Sequence, residues 1–216
     1  MDFIKPLIES AGDHRRRKGT PFVTLSYAQS LDGCISARPG EAIALSGRES
    51  LKLTHRLRAS HDAILVGIGT VLSDNPRLNV RLVNGNNPRP VVVDSRLRLP
   101  LNCRLLCGDA SPPWIVTREN PDKERVKALE GLGAKVIPLA SNARGQVELR
   151  AVLQKLAELE VDSLMVEGGS RIITNFLMER LAEFLVLTVA PVLVGGLRAV
   201  SDLGQSDPRH FLRLKD

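Results

Sequence analysis

Residues 53–81, LTHRLRASHDAILVGIGTVLSDNPRLNVR, decide the fold. Just upstream, Ser46 followed by Glu49 has capping-box spacing and predicts a helix over about residues 47–59. Arg56 and Arg58 fall in its last turns, where a cation suits the helix dipole unless a ligand draws it away. Residues 63–67 are few and continuously apolar, the pattern of a parallel strand buried on both faces. Gly67 and Gly69 then permit close backbone approach in a turn at the strand's carboxyl end, the edge where open parallel sheets bind ligands. Beyond it Asp74-Asn75-Pro76 breaks the chain, and Arg77 and Arg81 supply guanidinium forks for a phosphate or carboxylate. The whole stretch is expected to form the floor of an active site.

The rest of the 216-residue chain fits around such a sheet. Hydrophobic residues make up 43% but aromatics only 3%, so packing must rest on Leu, Val, Ile and Ala, as in parallel sheets flanked by helices. One domain is the natural count at this length. The net charge of +6 is modest and partly reflects the cluster at residues 14–18, which reads as a charged, flexible terminal segment over residues 1–19 and not as a nucleic-acid site, since no recognition motif follows it. Cys34, Cys103 and Cys107 form no metal-ligand pattern and point to a reducing compartment. No run approaches the roughly 18 apolar residues of a membrane span, so a soluble, cytoplasmic protein without a metal is expected.

Strands are expected at 22–29, 90–94, 113–117, 135–139, 163–166 and 183–190, with a further short one at 104–107 and an edge strand near Phe211 and Leu212. Helices are expected after Asn120-Pro121, read as N-cap and first turn, across 149–159, and from about 170 to 178. Strand, helix, strand recurs in this order, the crossover unit of doubly wound proteins. Three features stand where a strand gives way to a loop: Asp32-Gly33, Asp94-Ser95, and Glu167-Gly168-Gly169-Ser170, whose glycines would let a helix amino end meet a phosphate. No Gly-x-Gly-x-x-Gly fingerprint and no phosphate loop is present. His55 and His61 flank the helix end without a second histidine to complete a metal site.

Four segments, residues 24–33 (TLSYAQSLDG), 57–81, 90–97 (PVVVDSRL) and 166–170 (VEGGS), together resemble the reductase domain of riboflavin biosynthesis, over about residues 20 to 200. The resemblance implies an α/β, dihydrofolate-reductase-like three-layer fold with a mostly parallel sheet, a single reductase domain over residues 20–216, and a homodimer. It implies NADPH-dependent reduction of the ribosylamino side chain of a phosphorylated pyrimidine to the ribityl form, by hydride transfer to ribose C1′. Carried over by motif, Ala28, Thr70, Asp74, Ser95 and the turn with Gly169, Ser170 and Arg171 would line the cofactor. Arg58, Leu78 and Arg81 would contact substrate, the two arginines near its phosphate, and Glu167 would face the reacting substrate. Arg118, directly after a strand, is a candidate for the cofactor 2′-phosphate. Glu167 or Asp32 would assist proton transfer through water.

Two departures from the family pattern bear on the site. Ser26 stands where bacterial members often have Lys, and Ala42 and Ala44 stand where many have Ser and Trp. No zinc-deaminase motif precedes residue 20, so the chain is expected to reduce and not deaminate. The rival readings are a dihydrofolate or pteridine reductase on the same fold, which has no need of two phosphate-directed arginines, and a nucleotide-binding regulator without turnover.

Overall fold

The computed structural model describes residues 4–41, 43–108, 111–203, 212 and 214. Ala42 and Phe211 therefore lie outside the described residues, and Leu212 belongs to no strand. At the centre is a seven-stranded sheet in the order β6-β5-β4-β3-β7-β1-β8. Its strands are β1 (Phe22–Ser30), β3 (Ala63–Gly67), β4 (Arg89–Val93), β5 (Trp114–Arg118), β6 (Lys135–Leu139), β7 (Ser163–Gly168) and β8 (Phe184–Ala190). Every pairing in it is parallel, so all carboxyl ends lie along one edge. A two-stranded antiparallel ribbon, β2 (Cys34–Ser36) with β9 (Leu197–Arg198), stands beside that edge.

The strand order explains where a site can form. From β3 the chain winds outward through β4, β5 and β6; β7 then returns to the slot between β3 and β1. Such a reversal opens a crevice above the carboxyl ends. One face of the sheet carries α7 (Leu149–Glu158) and α8 (Ser170–Met178), whose Val152, Leu156, Ile173 and Phe176 close over Leu25, Leu65 and Val166. The other face carries α3 (Arg48–Ser60), α4 (Ile68–Asp74), α5 (Arg104–Cys107) and α6 (Lys123–Glu130), packed on Ile64, Val66, Val92, Ile115 and Met165. Aliphatic side chains supply nearly all of this burial, as the composition implied.

Several local expectations change. The helix at 48–60 has Gly47 at its N-cap and no side-chain cap; Glu49 instead meets Lys52 at 2.8 Å, so the capping box does not form. The glycine turn after β3 is helical: α4 starts at once and ends at Asn75, whose left-handed φ of 41° closes it. Residues 104–107, expected as a strand, are a helical turn. Asn120-Pro121 is not the cap of α6; Asp122 is, accepting the N–H of Arg125 at 2.8 Å.

Residues 5–9 and 11–18 are helical where an irregular segment was expected. α1 (Lys5–Glu9) and α2 (Ala11–Lys18) are held by apolar and charged contacts that sequence periodicity over so short a span does not reveal. Ile4 is buried against Leu57 and Met165, and the Arg15 guanidinium donates to Asp162 and to the Ala157 carbonyl. His14 is buried edge-on to Phe22 with Glu183 at 3.4 Å. Among the described residues no helix is long and apolar enough to cross a membrane.

Candidate active site

Alternation along β7 sends Met165 and Glu167 to the face covered by α3, and this places the Glu167 carboxylate at the crevice. Arg58, in the last turns of α3, meets it with both prongs: Nε donates to Oε1 and Nη2 to Oε2, each at 2.7 Å. The third guanidinium nitrogen, Nη1, donates to the Asn79 carbonyl at 3.0 Å. Both side chains are largely withdrawn from water, 11% and 15% exposed. Arg58 is thus committed to Glu167 and the loop, while each Glu167 oxygen already accepts a guanidinium N–H.

The loop after α4 brings Arg77 and Arg81 to the same place. Burial lowers the Arg81 pKa, and the neighbouring positive charges of Arg58 and Arg77 lower it further, against Glu167. Arg58 and Arg81 thus lie near one carboxylate with Arg77 close to Arg81, an excess of positive charge that suits an anion. Arg81 Nη1 donates to Asn79 Oδ1 at 3.2 Å. Leu78 does not present its side chain here: it has a positive φ of 49°, is 2% exposed, and is buried in the core, which leaves only its main chain for a ligand. The left-handed turn drives Leu78 inward, and sequence reasoning could not see it.

His55 and Asn79 were missed by sequence reasoning. His55 lies one turn before Arg58 on α3, and its Nδ1 accepts the Arg81 backbone N–H at 3.1 Å. Burial, then the charges of Arg58 and Arg81, hold its pKa down to about 4 against an ordinary 6.5. The unfolded chain takes up a proton here below about 6.5 and the folded chain does not. The stability this group contributes is therefore complete above pH 6.5 and is lost as pH falls to about 4. Across that interval the melting temperature of the wild type should fall more steeply than that of His55→Asn; parallel curves would contradict the assignment.

Asp32, the other carboxylate expected to assist proton transfer, clamps the turn after β1 to the loop at residues 194–195. Its carboxylate accepts from the Ser30 hydroxyl at 2.5 Å, from the Val194 and Gly195 N–H groups at 3.0 and 2.6 Å, and from Cys34 Sγ at 3.4 Å. The Ser30 bond first, then the two backbone bonds, hold its pKa far below the usual carboxylate range. Both oxygens of Asp32 are thus engaged, by its own turn and by the loop at residues 194–195.

On the other side of β7, Gly169 is the N-cap of α8 and offers no side-chain cap, so the first N–H groups of the helix are open to an anion. A Cβ on Gly169 would stand 3.1 Å from Thr70 Oγ1, which shows how closely α4 meets this turn. This arrangement fits a nucleotide phosphate. Ser170 is occupied otherwise, donating to the Arg198 carbonyl at 2.8 Å, and Ser95 Oγ accepts the Val147 N–H at 3.1 Å. Asp74 is exposed at the end of α4, Arg171 is exposed on α8, and Arg118 is exposed at the end of β5 beside Gly145. Ala28 lines an apolar cavity of about 220 Å³ with Ile35, Ile43, Ala44, Leu45 and Leu51.

The sequence model of the RibD C-terminal domain matches residues 21–216. The chain belongs to the RibD C-terminal domain family. It is 39% identical over 186 residues to the 2,5-diamino-6-ribosylamino-4(3H)-pyrimidinone 5′-phosphate reductase of Archaeoglobus fulgidus, covering 82% of this chain and 83% of that one. It is 35% identical over 196 residues to the riboflavin biosynthesis protein RibD of Aquifex aeolicus, covering 90% of this chain and 53% of that protein. The chain thus spans about half the length of that RibD relative. The solved structure of Acinetobacter baumannii RibD, form 1, superposes with a TM-score of 0.81 at 26% identity, over 95% of this chain and 56% of the other. The dihydrofolate-reductase-like α/β fold implied by the resemblance is the one observed.

Proposed function

We propose that this chain is an NADPH-dependent reductase of riboflavin biosynthesis, converting the ribosylamino side chain of a phosphorylated pyrimidine to the ribitylamino form. The supporting observation is that the Arg58–Glu167 pair and Arg81 meet beside β7, whose end is also the uncapped glycine turn into α8. One strand end thus offers a phosphate-directed cation on one flank and open helix N–H groups on the other. A relative matched over most of its length is named a 2,5-diamino-6-ribosylamino-4(3H)-pyrimidinone 5′-phosphate reductase, which supports this reading.

NADPH, when bound, supplies the hydride. The residues of the chain orient. Arg81, with Arg77 nearby, holds the substrate phosphate away from the reacting carbon, where binding energy is converted into positioning. Arg58 keeps Glu167 in place, and the remaining lone pairs of that carboxylate accept hydroxyl or amino groups of the substrate. The Gly169 turn, Thr70 and Asp74 border the cofactor, Ala28 leaves room beside it, Ser95, Ser170 and Arg171 line its phosphate end, and Arg118 takes the 2′-phosphate. Work in the cytoplasm accords with this reading. A second copy of the chain covers β8, an edge strand that exposes Leu187 and Val189 and is followed by exposed Val192 and Leu193.

The test is NADPH oxidation by the purified chain with the phosphorylated 2,5-diamino-pyrimidinone and 5-amino-uracil substrates. Turnover of either supports the proposal, and their ratio gives the base preference. Turnover of dihydrofolate alone would assign a pteridine reductase, and binding without oxidation of any substrate would assign a regulator.

A further inference from the structure

The loop that carries Arg81 is tied to α3 by two bonds of opposite sense. Arg58 Nη1 donates to the Asn79 carbonyl, and His55 Nδ1 accepts the Arg81 N–H, at 3.0 and 3.1 Å. Further along, the loop is bonded to itself: the Val80 N–H donates to Asn87 Oδ1 and the Arg81 guanidinium to Asn79 Oδ1. His55 is 1% exposed, so its ring is set by packing inside α3 and is not free to follow the loop. The bond at Arg81 is thus the point where a rigid element meets the residue whose side chain faces the anion.

We propose that His55 is a positioning residue for the substrate phosphate: its neutral imidazole, accepting through Nδ1, fixes the Arg81 main chain and thereby aims the Arg81 guanidinium. The proposal rests on the reading of Arg81 as a phosphate ligand. Only one tautomer works, with the proton on Nε2, because an imidazolium has no acceptor to offer. The charged groups that act on the ring favour that state: the cations of Arg58 and Arg81 oppose protonation, and Arg58 is itself bonded to the Glu167 carboxylate. Loss of the acceptor leaves the Arg81 N–H without its partner and lets the guanidinium swing about Asn79. The charge remains but its direction is lost.

The experiment is a mutant cycle read in steady-state NADPH oxidation with the phosphorylated pyrimidine. His55→Leu should raise KM about three- to tenfold, the worth of one hydrogen bond, with kcat changed much less. His55→Asn, whose Oδ1 stands near the Nδ1 position, should recover most of that loss, whereas His55→Gln, whose amide reaches the Nε2 position, should not. In an Arg81→Ala background the His55 substitutions should add nothing to KM. An unchanged KM in folded His55→Leu, or an equal KM increase with and without Arg81, would overturn the proposal; if the leucine variant does not fold, the Asn and Gln variants decide by the same comparison. Arg81→Ala with an unchanged KM would instead reject the phosphate reading itself. In that event amide exchange at Arg81, faster in His55→Gln than in His55→Asn, still tests the bond, and equal rates would remove it.

Discussion

Arg58→Ala should lower the unfolding free energy by about 3 kcal/mol and reduce turnover at least as severely as any other single change in the cleft. The size follows from what is left behind. The Glu167 carboxylate, only 15% exposed, loses both guanidinium bonds, and the Asn79 carbonyl loses a third. An unpaired charge in such a place costs more than the pair ever contributed. Urea denaturation measures the stability, and a double variant separates the two roles. Arg58→Met with Glu167→Leu removes both charges and should regain most of the stability while remaining inactive. Recovery of activity in the double variant would show that the pair serves the fold alone, and an unchanged denaturation midpoint in Arg58→Ala would contradict the burial described.

Gly196→Ala should be comparably damaging for a different reason. A Cβ there would stand 2.5 Å from the Ala37 carbonyl oxygen and 2.7 Å from its Cα, backbone atoms that no rotamer change can move. The β2–β9 ribbon would have to part, and with it the Val194 and Gly195 N–H groups that Asp32 holds. Overpacking of this kind costs about 3 kcal/mol at the upper end of its usual range. The control is Gly195→Ala, where φ is 65° but a Cβ meets nothing within 4 Å, so that only the backbone term of about 1 kcal/mol remains. Equal melting temperatures for the two variants would show that the ribbon yields freely.

Much of this architecture is legible in the sequence because its signals are local. The strand at 63–67 is an uninterrupted apolar run bounded by Asp62 and by glycine, and it is found as Ala63–Gly67. The apolar spacing of 149–159 marks α7, and the glycines after Glu167 mark the start of α8. What escapes the sequence is set by distant partners. Residues 5–9 and 11–18 are helical because Ile4, His14 and Arg15 find partners on α3, the sheet and the chain after α7, none of which has a local signature. Asp32 has the look of a catalytic carboxylate at a strand end, but the loop that occupies it begins more than a hundred residues later. Leu78 shares a loop with Arg77 and Arg81, and only its left-handed φ shows that its side chain turns away from them. His55 carries no motif; its closeness to Arg58 on the helix was the available clue.

The decisive measurement is the phosphate dependence of catalysis. The ribosylamino-pyrimidine is offered with and without its 5′-phosphate, and kcat/KM for NADPH oxidation is measured in the wild type and in Arg81→Ala. Wild type should favour the phosphorylated form by about a hundredfold or more, the worth of a desolvated charge pair, and Arg81→Ala should erase most of this preference while hardly affecting the dephosphorylated substrate. Equal preference in both proteins would place the phosphate elsewhere and remove the basis for the site described around Glu167.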